Sequence, residues 1–92
     1  MIKSFKCKET RKAFEGRRSK FGADVIERIE DKLAILDAAA SIEDLRSPPS
    51  NRLEKLDGDR KGQHSIRINK QWRICFKWTA SGPTDVEVCD YH

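Results

Sequence analysis

The sequence predicts an α+β domain in which N-terminal helices pack on one face of an antiparallel sheet built from the C-terminal half. Two patterns carry this expectation. Before Pro48 and Pro49 the apolar residues recur at helical offsets, and from Arg52 onward they alternate with polar ones. The segments of the second half are also joined by connections so short that consecutive strands must run antiparallel. A chain of 92 residues suffices for one domain, 1–92, with one modest core.

MIKSF, with Ile2 and Phe5 loosely alternating, reads as a short edge strand. Lys8 to Gly16 is a first helix anchored by Ala13 and Phe14 and ended by Gly16. A long amphipathic helix begins near Gly22 or Ala23. Its apolar stripe is Ile26, Ile29, Leu33 and Leu36, at offsets of three, four and three, and Glu27, Arg28, Glu30, Asp31 and Lys32 form its solvated face. Between the helices, GRRSKFG holds Arg17, Arg18 and Lys20 around Phe21. It reads equally as an exposed loop whose Phe packs down or as a phosphate-gripping patch.

Pro48 and Pro49 end the helical half and favour an extended crossing. RLEKL (Arg52 to Leu56) is then a first strand, GDRKG (Gly58 to Gly62) a turn, and HSIRI (His64 to Ile68) a second strand. WRICFKWT (Trp72 to Thr79) is a third, SGP a turn, and DVEVCDY (Asp85 to Tyr91) the last.

Parity divides these strands between two faces. Trp72, Ile74, Phe76, Trp78, Ile66, Ile68, Val86 and Val88 can face the helices. The other face carries Arg67, Arg73, Lys77 and Tyr91, with Arg60 and Lys61 at the adjoining turn. One sign of charge dominates there, which favours a phosphate-binding surface over a merely solvated one, with Tyr91 placed to stack on a base. His64 falls with the inward parity and reads as a packing residue. The formal net charge of +4 points weakly in the same direction, toward an acidic partner such as nucleic acid.

Cys7, Cys75 and Cys89 are odd in number and widely spaced, with no C-x-x-C and no histidine at a metal-ligand spacing. They read as small packing residues, and no metal or cofactor is expected. No apolar run resembles a signal segment or membrane span, so a cytoplasmic location with reduced thiols is expected.

The last three residues, Asp90, Tyr91 and His92, emerge from the final strand at the rim of the cationic face. Cleavage of RNA needs a base to take the 2′-hydroxyl proton, an acid for the departing 5′ oxygen and a cation for the pentacoordinate phosphorus. These three residues with Arg73 could supply all of them without a metal.

NRLEKLDGDRKGQHSIRINKQWRICFKW followed by the terminal DYH resembles the HigB branch of the RelE/ParE toxin superfamily, as do MIKSF, the long helix and LRSPPSNRLE. The resemblance implies a microbial-RNase-like fold with a twisted sheet. It also implies a ribosome-dependent endoribonuclease that cuts mRNA in the A site by 2′-hydroxyl attack, and a HigA-like helix-turn-helix antitoxin through which alone operator DNA is bound. Carried over by position, it assigns catalysis to Arg73, Asp90, Tyr91 and His92, and an RNA-contacting or structural role to Arg60. Some relatives have a catalytic histidine where this chain has Glu54. Glu54 is therefore either a replacement base or a surface residue paired with a neighbouring cation. A gyrase-inhibiting toxin of the ParE type and a non-catalytic RNA- or protein-binding module are the alternatives.

Overall fold

In the computed structural model, which describes residues 1–90, helices α1 (Lys8–Phe14) and α2 (Ala23–Ala38) lie on one face of a four-stranded antiparallel sheet. Its strands β1 (Glu54–Lys55), β2 (His64–Arg67), β3 (Trp72–Thr79) and β4 (Gly82–Asp90) follow one another in chain order. This is the meander that the short connections require. The core between the layers joins Ala13, Val25, Ile29, Leu33 and Leu36 of the helices to Ile66, Ile68, Ile74, Phe76 and Val86 of the sheet. Each fully buried aliphatic side chain contributes about 1.5–3 kcal/mol.

The α2 stripe is rotated from its expected position. Val25 is buried with Ile29, Leu33 and Leu36, whereas Ile26 is only half-buried. Offsets of four, four and three describe one helix face as well as three, four and three do, so spacing alone does not choose between them. Gly16, at φ +73, ends the first helical segment, because the left-handed backbone that stops a helix suits glycine.

The stretch around the prolines is less extended than expected. Ser47 and Pro48 are extended, but Ile42–Arg46 and Pro49–Asn51 on either side form 3-10 turns. Asn51, fully buried, holds this segment together. Its Nδ2 donates to the carbonyls of Leu45 (3.1 Å) and Ser47 (3.2 Å), and its Oδ1 accepts from Lys32 Nζ at 2.5 Å. Arg52 follows in the left-handed conformation, at φ 44, which shortens the first strand to Glu54–Lys55.

MIKSF runs along β4 without becoming a regular strand. Lys3 and Lys6 donate backbone N–H to Pro83 and Val86, Val86 donates to Ser4, and Phe5 makes one parallel bridge with Val86. β4 begins at Gly82, earlier than the SGP turn suggests, and Pro83 pairs with Trp78. Gly82 is required by crowding as well as by its φ of +122, since a Cβ there would lie 2.7 Å from the Met1 carbonyl oxygen.

Candidate active site on the second face of the sheet

The second face is not the open cationic surface that parity suggests. The register aligns Glu54, Ser65, Cys75 and Glu87 in one row and Arg67, Arg73 and Cys89 in the next. Ser65 and Cys75 are completely buried, and Cys89 and Arg73 nearly so. Leu56 packs with Cys75 and Cys89 into a second small apolar cluster. The chain between β1 and β2 covers this part of the face. Two glutamates also break the run of positive charge.

Arg73 is the best-anchored member of the site. Its Nε donates to Ser65 Oγ at 2.7 Å and its Nη2 to the Arg52 carbonyl at 2.7 Å, while Nη2 also lies 3.1 Å from Glu54 Oε2. The left-handed turn at Arg52 aims that carbonyl inward. A planar guanidinium with several fixed donors suits this arrangement better than a flexible ammonium would. The guanidinium is thereby fixed in direction, and the half-exposed Glu54 carboxylate stands beside it with access to solvent.

Arg60 closes the other row. It sits in the 3-10 turn Gly58–Arg60, and its Nη1 donates to Glu87 Oε1 at 2.7 Å and Gln63 Oε1 at 3.2 Å. The Glu87 carboxylate raises the Arg60 pKa, and the pair ties the covering turn to β4. The exposed Lys61 follows it. Lys77, four residues along β3 from Arg73 and hence roughly 13 Å away, pairs with Asp85 at 3.7 Å. It stands at the opposite end of the face.

Arg17, Arg18 and Lys20 belong to the loop on the helix layer, across the sheet from Arg73. Arg17 pairs with Glu15 at 3.2 Å, and Lys20 lies over Phe21, whose ring meets Trp72 edge-on at 6.0 Å between centroids. The Phe does pack down. Asp90 lies at the end of β4 opposite Trp72, on the inward parity, where its Oδ2 accepts from Gln71 Nε2 at 3.2 Å. Tyr91 and His92 lie outside the described residues.

His64 stacks on Phe76 at 6.3 Å, with its Nδ1 buried and unpaired. Burial, then the nearby Lys55, push its pKa below the usual histidine value. It is a packing group. Among the described residues, no cluster of three or more His, Cys, Asp or Glu is placed to hold a metal ion, and no helix is long and apolar enough to cross a membrane.

Sequence patterning missed the supports of Arg73. Ser65 and the Arg52 carbonyl carry no charge and form no motif. The one available signal was that Ser65, Cys75 and Cys89 are all small, which suits a covered face better than a wet one.

Comparison with known proteins agrees with this architecture. The family described as RelE-like toxin of type II toxin-antitoxin system HigB matches residues 3–92. "Endoribonuclease HigB" of Proteus vulgaris is 38% identical over 93 aligned positions, covering 100% of both chains. "Toxin HigB-1" of Vibrio cholerae serotype O1 is 60% identical over 47 residues, a match that spans 51% of this chain and 50% of that protein. Among solved structures, the YoeB-YefM complex from Staphylococcus aureus contains a chain with the same fold, at a TM-score of 0.63 and 19% identity, covering 100% of this chain and 95% of that one.

Proposed function

The chain belongs to the HigB-like branch of the RelE-like toxins of type II toxin-antitoxin systems, and from that membership we propose that it is an endoribonuclease that cuts mRNA on the ribosome. The observation that carries the reading is the fixed Arg73 guanidinium with the Glu54 carboxylate 3.1 Å from its Nη2. A general base takes the proton of a ribose 2′-hydroxyl, and the oxygen attacks the adjacent phosphorus. The 5′ oxygen leaves with a proton from a general acid, giving a 2′,3′-cyclic phosphate and a free 5′-hydroxyl. Arg73 stabilises the charge that grows on the phosphoryl oxygens. Because it is already oriented by Ser65 and Arg52, little reorganisation is needed as that charge develops.

Glu54, Asp90, Tyr91 and His92 share the base, orienting and acid roles in this proposal. The DYH motif supports the last three. Arg67 and Lys61 flank the site for phosphate contacts, and Arg17, Arg18 and Lys20 present a separate basic patch suited to ribosomal RNA. Arg60 acts mainly by holding the covering turn, and Lys77 serves a contact remote from the scissile bond. A HigA-like helix-turn-helix antitoxin neutralises the toxin in the cytoplasm and is the component that touches operator DNA.

The test is single-turnover cleavage of message on programmed ribosomes. The wild type should cut within the A-site codon, and Arg73→Ala should reduce the rate by about 10²–10³-fold, as loss of a preorganised transition-state donor does. Intact message with the wild type would contradict the reading. DNA breaks without codon-phased cuts would place the protein with the gyrase poisons instead.

A further inference from the structure

A groove of about 560 Å³ runs between α2, the turn Pro49–Asn51 and the connection from β2 to β3. Arg28, Lys32, Arg52, Arg67 and Lys70 line it, and Asp31 is its one acid. The excess of five bases over one acid matches the formal net charge of +4 for the whole chain, so the remainder is neutral on balance. A smaller hollow continues from it, sharing Arg52, Arg67, Asn69 and Lys70 and reaching Arg73. The groove therefore leads from the flank of α2 to the candidate scissile centre.

Among the described residues no ion pair holds these cations, and Asp31 is the one carboxylate in the groove. Arg28, Arg52, Arg67 and Lys70 make no side-chain ion pair among the described residues. Lys32 is held by neutral acceptors, Asn51 Oδ1 at 2.5 Å and Ser50 Oγ at 3.4 Å. Burial, then the neighbouring Arg28, lower the Lys32 pKa, and Asp31 partly offsets them. Like charges held together in a concave wall repel one another, and an anion threaded between them relieves that cost. Charged and polar residues line the groove, the aliphatic stems of the long cations forming much of its wall, and Ile68 is the one apolar residue among them. That lining suits a phosphodiester backbone better than an amphipathic peptide.

We propose that this groove is an extended binding track for the sugar-phosphate backbone of the RNA strand beside the cleaved bond, with Arg28 and Lys32 of α2 on one wall and Arg52, Arg67 and Lys70 on the other. The proposal rests on the endoribonuclease reading and adds to it the place where the flanking strand lies. The Asn51 bonds to Lys32 and to the backbone of Leu45 and Ser47 then act as a brace that keeps one wall of the track in position.

The test uses the full chain and a 2′-O-methyl oligoribonucleotide, which has no nucleophile and cannot be cut. Binding is followed by fluorescence anisotropy across a salt series. Arg28→Gln/Lys70→Gln removes one charge from each wall, and neither side chain has a described structural bond. Lys3→Gln/Lys8→Gln removes the same charge from the β4 edge and the start of α1. The groove variant should weaken binding and lower the slope of log K against log salt by about 1.4, two phosphate contacts on a single strand. The control should keep the wild-type slope.

Equal slopes in all three proteins, or no oligonucleotide binding by the wild type at low salt, would overturn the groove assignment. So would a groove variant that keeps its RNA affinity and instead loses the antitoxin, which would give the groove to a protein partner. Wild-type cleavage on programmed ribosomes is scored separately. A protein that cuts normally but fails the salt test refutes the track alone, and one that binds but never cuts refutes the enzymatic reading.

Discussion

In the proposed mechanism Arg73 combines catalysis with structure in one side chain, and the two roles separate experimentally. Truncating it leaves Ser65 Oγ and the Arg52 carbonyl without their buried donors, so Arg73→Ala should lose about 1–3 kcal/mol of stability in urea unfolding as well as its activity. Glu54→Gln removes a half-exposed carboxylate and should leave stability within about 0.5 kcal/mol, so any fall in its cleavage rate reports chemistry. His64 gives a pH signature of its own. Its folded pKa is depressed below the ordinary value of 6.5, so the unfolded chain takes up a proton there before the folded protein does. Stability falls as pH drops from about 6.5 toward the lower folded value and is unaffected by this group above that window. Thermal unfolding should therefore show a larger loss between pH 7.5 and 5.5 in the wild type than in His64→Phe. The cysteines differ in the same local way. Cys89, in contact with Cys75 and buried, has its pKa pushed up and stays protonated, whereas Cys7 is only partly covered. Alkylation of the native protein followed by mass spectrometry should label Cys7 first and Cys75 and Cys89 only on unfolding.

Among the elements, those decided by local periodicity were legible in the sequence. The α2 helix and strands β2 to β4 follow from apolar spacing, because burial on one face imposes a period that neighbouring residues reveal. The 3-10 turns around Pro48 were not legible, because they depend on long-range bonds from Asn51 to Leu45, Ser47 and Lys32. Asn51→Ala should cost about 1–3 kcal/mol in thermal or urea unfolding, since it leaves buried carbonyls without donors. Arg52 shows the same limit for the site. Its left-handed backbone shortens β1 and turns a carbonyl toward Arg73, and no pattern in RLEKL announces either consequence. Parity correctly placed Arg73 and Cys75 on the same face. It could not foresee that Leu56 and the Gly58–Arg60 turn would fold over that face, because parity counts directions and not coverings.

At the scale of the whole molecule, the two layers divide the work. The helices bury one sheet face in a core that fixes the strand register, and the register sets Glu54, Arg67 and Arg73 beside one another on the other face. The charge follows the same division. Arg60 and Glu87 neutralise each other over the covered part of the second face, while five bases, none in an ion pair among the described residues, line the groove that leads to Arg73. The fold was readable because alternation and short turns leave few topologies. The placement of Arg67 and Arg73 on one sheet face was readable from parity, whereas the neutral supports of Arg73 appear only with the folded chain. The central claim is that a preoriented Arg73 drives cleavage of ribosome-bound message. Its most direct measurement is the single-turnover rate on programmed ribosomes for wild type, Arg73→Ala and Arg73→Lys, with folding and ribosome binding checked for each. The account predicts codon-phased cutting by the wild type and near-complete loss in both variants, because lysine keeps the charge but not the fixed fork. Cutting by Arg73→Lys at the wild-type rate would contradict preorientation, and cutting by Arg73→Ala at that rate would contradict any role for this arginine in the chemistry.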